Sequence, residues 1–385
     1  MNSKVIQVVG LVVIVVLLGF AWYQQQQLND ARTQIASLTG ELEKQKQAAR
    51  PAAEPKGAPA APATTAGIEL KFHTLIPPVA NPIKTMWAPW VEKVNAAAAG
   101  KMKVTIYPSM QLGGTPRDLV SQVKDGVVDI VWTLPGYTPG RFPVSEVFEL
   151  PFVHSNAVAT TQAIQDFQPK YLTKEWGDYH VLLLHVHAGS LIMSRKPITK
   201  FEDMKGLKIR TATRTMSWYL DTAGALPNDQ PVPEVVQMIS KGVADALALP
   251  YEIAPTFKVQ ELVQHFSTLE GSQPRLNTSV FSFLMNKQSY AKLPTDMKRI
   301  IDANSGKNIA EAAGKNWEAI ETPAKAVMAS IKDNKFHVIP AAEVAKFKAA
   351  GKPAKDRWIG EMDKMGLKGA DMLKEAEGLV AKYTK

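Results

Sequence analysis

The sequence predicts an α/β fold of two lobes about a hinged cleft, with long C-terminal helices and an N-terminal transmembrane helix. Three observations carry this. Strand and helix patterns alternate in two successive units from Ile68 onward, the composition turns helical and Ala/Lys-rich from Pro294, and an unbroken apolar run occupies the N-terminus. The chain has 385 residues, room for about two domains. With 45% hydrophobic and 21% charged residues it has the composition of an ordinary globular protein.

The first element is the apolar run from Val5 to Tyr23, interrupted only by Gln7 and two glycines. At ~1.5 Å per residue it covers ~28 Å, enough to span a bilayer. Trp22 and Tyr23 have the character of interface anchors, and Lys4 puts positive charge on the N-terminal side. A removable signal peptide has a shorter apolar core followed by a small-x-small cleavage site, and none follows here. Residues 1–23 are therefore read as an uncleaved signal anchor with the C-terminus outside. The alternatives are a buried core helix and a signal peptide cut at an unusual site.

Residues 24–49 form the next segment. Leu28, Ala31, Ile35, Leu38 and Leu42 follow heptad spacing, which predicts a helical stalk: either a solvated spacer or a short, weakly dimerising coiled coil. Residues 50–67, RPAAEPKGAPAAPATTAG, are Pro/Ala-rich and predict an extended, semi-stiff linker.

The folded part, 68–385, begins with the alternating strand ELKFHT. Pro82 opens an amphipathic helix carrying Trp87, Trp90, Val91 and Val94, and KVTIY returns as a strand. Thr115-Pro116 reads as a helix cap leading to DIVWT. Strand, helix, strand at this spacing means a parallel sheet faced by helices. The pattern resumes at VLLLHVH (181–187), LKIRT (207–211) and ADALAL (244–249). The expected first lobe is about 68–187 plus part of 275–335. The expected second lobe is about 188–275 plus the C-terminal helices. Ligands of open α/β sheets sit at the carboxyl ends of strands.

Composition and motifs exclude several function classes. Lys plus Arg number 45 against 36 Asp plus Glu, but the lysines are scattered, so a nucleic-acid partner is not indicated. The absence of Cys removes disulfides, thiolate catalysis and Cys-ligated metals. No nucleophile elbow, phosphate cradle, zinc helix or dinucleotide fingerprint occurs, so no catalytic residue, cofactor or metal is expected and the protein is not read as an enzyme. His185 and His187 share a strand face as a metal pair would, but no third ligand clusters with them in sequence. Glu361 and Asp363 lie far from any cleft segment, and Trp87 and Trp90 read as core.

One constellation is specific: EDMKGLKIRT at 202–211, then PNDQPVPEVVQMISKGVADALALP at 227–250. It resembles the DctP-type solute-binding proteins of TRAP transporters, whose pattern runs D-x-K-G-x-K-x-R, then P-x-P-x-x-E-V, then G-x-x-D-G into a hinge strand. Asp203, Lys205, Gly206, Lys208, Arg210, Glu234, Val235, Gly242 and Asp245 occupy matching places. YPSMQLGG, DLVSQVKDGVVDI and YTPGRFPVSEVFELPF upstream, and MNKQSYAKLPTDMKRII downstream, extend the likeness from Ile68 nearly to the C-terminus.

The resemblance implies a two-lobe periplasmic binding protein fold and a role in transport: the extracytoplasmic capture of a small organic acid for a permease of small and large membrane subunits. It also implies that Arg210 binds the ligand carboxylate, a role suited to a planar guanidinium fork. Two departures bear on the ligand. Leu249 precedes the hinge Pro250 where many relatives carry Asn, and Ser190 stands near where sialic-acid-binding relatives carry an additional Arg. Both remove polar grip, which favours an apolar or aromatic monocarboxylate over a dicarboxylate or sugar acid. Trp132, Tyr137, Phe152, Trp218 and Tyr251 are the candidate walls, with Arg214 as a second cation or, alternatively, on a solvated helix face. The expected location is the periplasm, with the chain held to the inner membrane by its N-terminal helix. The alternative function is a membrane-anchored ligand-presenting or sensor protein for an associated receptor.

Overall fold

The computed structural model describes Gln26 and residues 67–384. The predicted anchor at 1–23, the linker up to residue 66, and the stalk apart from Gln26 lie outside the described residues. Among the described residues no helix is long and apolar enough to cross a membrane.

The strands are, in chain order, β1 (Ile68–Thr74), β2 (Met102–Tyr107), β3 (Ile130–Thr133), β4 (Tyr179–Val186), β5 (Leu191–Ser194), β6 (Lys208–Thr211), β7 (Leu226–Asp229), β8 (Ala246–Leu249), β9 (His265–Leu269), β10 (Val280–Asn286) and β11 (Lys335–Ile339). They make two sheets, ordered β2-β1-β3-β10-β4 and β11-β9-β5-β8-β6-β7. Each contains antiparallel pairs made by a strand that has crossed from the other sheet. β10 runs against β3 and β4, with Phe283 opposite Trp132 and Phe281 opposite His185. β5 runs against β8 and β9.

Central strands are covered on both faces, so they read as unbroken apolar runs rather than alternating ones. IVWT, LIMS, ALAL and VFSFLMN are buried at every position. Pro82 opens a π-helical turn, Ile83–Trp87, that continues as the helix Ala88–Ala98 and delivers Trp87 and Trp90 to the first sheet. Trp87 packs on Phe283 at 4.3 Å between ring centroids, and Phe72 meets both. Burying each such ring stabilises the fold by roughly 1.5–3 kcal/mol. Thr115 is not a helix cap. Its N–H and hydroxyl both donate to Asp118, and the helix starts four residues on, at Leu119.

The C-terminal helices, expected beside the second lobe, divide between the two. Ala341–Ala349 joins the second, with Glu343 accepting from the Phe201 N–H at 2.9 Å and Lys346 pairing with Glu202. The last helix, Gly369–Tyr383, packs instead on the first-lobe helix Ala157–Tyr171. Lys170 and Tyr171 bind Glu375 there, and Lys382 and Tyr383 bind Asp166. Alternating Ala and Lys identify a helix but not the surface it covers. The helix Lys307–Ala329 approaches the same first-lobe helix through Gly314, where a Cβ would stand 2.6 Å from Val158 Cα.

Two crossings, β4 to β5 and β9 to β10, pair with each other as they pass between the sheets. Ser190 N–H donates to the Asn277 carbonyl at 2.8 Å, and Leu276 N–H returns to the Ser190 carbonyl at 3.1 Å. The Thr278 hydroxyl donates to the His187 carbonyl at 2.8 Å. This ribbon brings the ends of β4, β6 and β8 around one cavity.

Candidate ligand-binding site

Arg210 lies between Ile209 and Thr211 on β6, and all three are buried, Arg210 with 0% of its surface exposed. Its Nε donates to the Gln230 carbonyl at 2.7 Å, and Nη2 donates to the same carbonyl. Nη1 is buried and has no partner. Burial lowers the arginine's pKa, opposed by Tyr137 and Asp229, but a guanidinium stays charged in proteins. A buried charge with an unmade hydrogen bond is costly unless an anion completes it. Arg117 braces this corner from the first lobe, donating to the Tyr137 carbonyl at 2.9 Å and to the Asp229 carbonyl and Gln230 Oε1, each at 3.2 Å.

A cavity lies beside Arg210, with about 470 Å³ of free space when the solvent at its mouth is included. Of the residues singled out in the sequence, Trp132, Tyr137, Ser190, Arg210 and Leu249 line it. Trp132 stacks on Phe281 at 4.7 Å between centroids with 5° between planes. The Tyr137 hydroxyl accepts from the Val232 N–H at 3.1 Å. Ile76, Leu134, Val232, Ile253 and Phe281 extend the apolar wall, and His187, Ser279 and Glu252 add polar groups to it. None of these eight was singled out as a pocket wall. Glu252 had a signal: it is the one acid in the apolar stretch from Ala246 to Ala254.

Four expected members do not line the cavity. Phe152 faces Tyr219 edge-on at 6.1 Å between ring centroids. Trp218 lies under the guanidinium groups of Arg214 and Arg357, at 4.8 and 4.2 Å. Tyr251 follows Pro250 yet turns toward Arg275 and Lys325. Arg214 is not on a solvated face: Nε and Nη2 bind the two oxygens of Glu146 at 2.7 and 2.6 Å, and Nη2 also meets Glu361 at 2.8 Å.

The paired histidines are engaged otherwise than as metal ligands. The indole nitrogens of Trp132 and Trp317 lie 2.9 Å from Nε2 and Nδ1 of His185, whose neutral ring accepts from one of the two, and burial depresses its pKa to about 3. His187 faces the backbone N–H groups of Gly189 at 2.9 Å and Ser279 at 3.2 Å.

The arrangement is therefore a mainly apolar cavity with one incompletely bonded cation in its wall. Residues 75–361 match the family model DctP, bacterial extracellular solute-binding protein, family 7. A marine metagenome TRAP solute binding protein specific for aromatic acid ligands, in complex with 3-hydroxybenzoate, is 43% identical with a TM-score of 0.81, over 83% of this chain and 99% of that one. A TRAP solute binding protein from Rhodoferax ferrireducens, in complex with copurified benzoate, is 39% identical with a TM-score of 0.80, over 82% of this chain and 98% of that one. The outer membrane transporter protein TsaT of Comamonas testosteroni is 25% identical over 308 residues, 79% of this chain and 89% of that one. The chain belongs to the DctP family, family 7 of the bacterial extracellular solute-binding proteins.

Proposed function

We propose that this protein captures an aromatic monocarboxylate for a TRAP permease, with the ligand carboxylate on Arg210 and its ring against Trp132, Phe281 and Leu249. The observation that carries the reading is the fully buried Arg210 with its Nη1 unpartnered at the edge of an apolar cavity. Among the described residues lining that cavity, Arg210 is the only Arg or Lys. A second carboxylate would therefore have no cation to meet, which disfavours dicarboxylates. The aromatic acids held by the two similar solved proteins support the same ligand class.

The mechanism is closure without chemistry. The ligand enters between the lobes, Arg210 takes its carboxylate, and contacts made only in the closed state shift the hinge equilibrium. The lobes are 68–187 with part of 275–335, and 188–275 with the C-terminal helices other than the last. The closed form then docks on the small and large membrane subunits of the permease. Residues 1–23 anchor the chain in the inner membrane and 24–67 hold the binding unit off its periplasmic surface. A full-length chain that stays in washed membranes with its N-terminus at Met1 or Asn2 supports the anchor, and a soluble form starting after residue 22 sinks it.

Calorimetric titration with benzoate and its relatives tests the site. Removing one partner of a buried ion pair costs ~3–5 kcal/mol, so Arg210→Ala should weaken binding by roughly 150-fold or more. Arg210→Lys keeps the charge without the planar fork and should recover only part of the affinity. Unchanged affinity in Arg210→Ala would mean the carboxylate sits elsewhere.

A further inference from the structure

The cavity holds a second unfulfilled polar group, of opposite character to Arg210. Glu252 is 2% exposed, lines the cavity, and its Oε2 is buried without a partner. Its backbone is fixed from both sides: the N–H donates to Glu321 at 2.9 Å, and Asn81 donates to its carbonyl at 3.2 Å. The side chain is not a member of the ion-pair network beside it. Arg275, the nearby cation, is taken by Glu321 at 2.6 Å and lies over Tyr251. Glu252 and Arg210 enter the cavity wall from different segments, Arg210 on β6 and Glu252 from the turn after β8.

A buried carboxyl without a partner costs stability, and is tolerated where a ligand completes it. We infer that Glu252 is a specificity-determining residue that hydrogen-bonds a hydroxyl on the ligand's ring, at the side away from the carboxylate, so that the preferred ligand is a hydroxylated aromatic acid. The inference rests on the aromatic-acid reading above and narrows it. Burial, and then Glu321, push the Glu252 carboxyl well above the usual range. That favours the neutral form, which both donates and accepts and suits a neutral hydroxyl rather than an ammonium group. Of the other polar groups of the wall, His187 already accepts one backbone N–H, from Gly189 or Ser279.

The test is calorimetric titration of the purified full chain with benzoate, the three hydroxybenzoates and the three methylbenzoates, a methyl group being close to a hydroxyl in size. At least one hydroxybenzoate should bind about tenfold or more tighter than its methyl counterpart, because the methyl leaves the carboxyl unpaired. Glu252→Leu should reverse that preference in favour of the methyl compound, while Glu252→Gln, which still donates and accepts, should keep most of it. Arg210→Ala should weaken hydroxy and methyl compounds alike. Benzoates that bind with no hydroxyl preference, or a preference that survives in Glu252→Leu, overturn this role for Glu252 while leaving the aromatic-acid reading standing. No binding of any benzoate by the wild-type chain overturns that reading itself, and this inference with it.

Discussion

Arg214 begins the helix Arg214–Thr222 directly after β6, and its guanidinium reaches across to Glu146 on the first lobe and to Glu361 on the helix Lys352–Lys364. Its side chain is 19% exposed and that of Glu146 7%, so water screens this pair only partly. Arg214→Ala leaves Glu146 buried without its cation and should weaken ligand binding by roughly tenfold, chiefly through faster release, with the fold retained. Stopped-flow dissociation checks this, and an unchanged off-rate would remove Arg214 from the closure mechanism. His185 makes a different prediction. Its folded pKa of about 3 lies below the unfolded value of about 6.5. The unfolded chain therefore takes up the proton first as pH falls, and the stability contributed by the neutral ring is complete above pH ~6.5 and lost toward pH ~3. The loss between pH ~6.5 and ~4 is about 3 kcal/mol. His154, also pushed down to about 3, adds to it. His185→Gln should flatten part of this acid dependence in urea titrations, and an equally steep profile in the variant would contradict it.

In the closure proposed above, the ribbon of paired crossings between the two sheets is the element that bends. Gly189 has φ +100°, and a Cβ there would stand 2.6 Å from both Cβ and Cγ of Arg275 on the opposite crossing. Gly189→Ala should cost about 1–3 kcal/mol from backbone conformation alone, before any displacement of Arg275. Chemical denaturation measures it, and a neutral substitution would show that the ribbon adjusts freely. The ribbon's strands were readable only in part. VLLLHVH and ADALAL stand out as largely apolar runs, whereas β7, LPND, has two polar residues in four and offers no period to register. The insertion of β10 between β3 and β4 could not be read at all, because pairing between distant segments leaves no local pattern.

At the scale of the whole molecule, the lobes meet through Arg117 on the Asp229 and Gln230 backbone and side chain, Asn81 on the Glu252 carbonyl, and Arg214 on Glu146. Gly136 comes so close to Thr213 that a Cβ would lie 2.7 Å from its Cγ2. These contacts describe a closed cleft. X-ray scattering should therefore give a smaller radius of gyration with saturating ligand than without it, and Arg214→Ala should be the more open of the two proteins when ligand-free. Identical scattering with and without a confirmed ligand would favour a rigid pocket.

The sequence by itself determined the α/β class, the division into two sheets, the family, and Arg210 as the residue to examine, because alternation, apolar runs and linked motifs are local and survive without contacts. Tertiary structure decided the rest. It chose Trp132 and Tyr137 over Phe152, Trp218 and Tyr251 for the cavity, joined Arg214 to Glu146 across the cleft, sent the last helix to the first lobe, and left Glu252 buried without a partner. The physical reason is the same in each case. Hydrophobic periodicity reports that a side chain is buried, while the identity of its neighbour depends on how segments far apart in the chain are brought together.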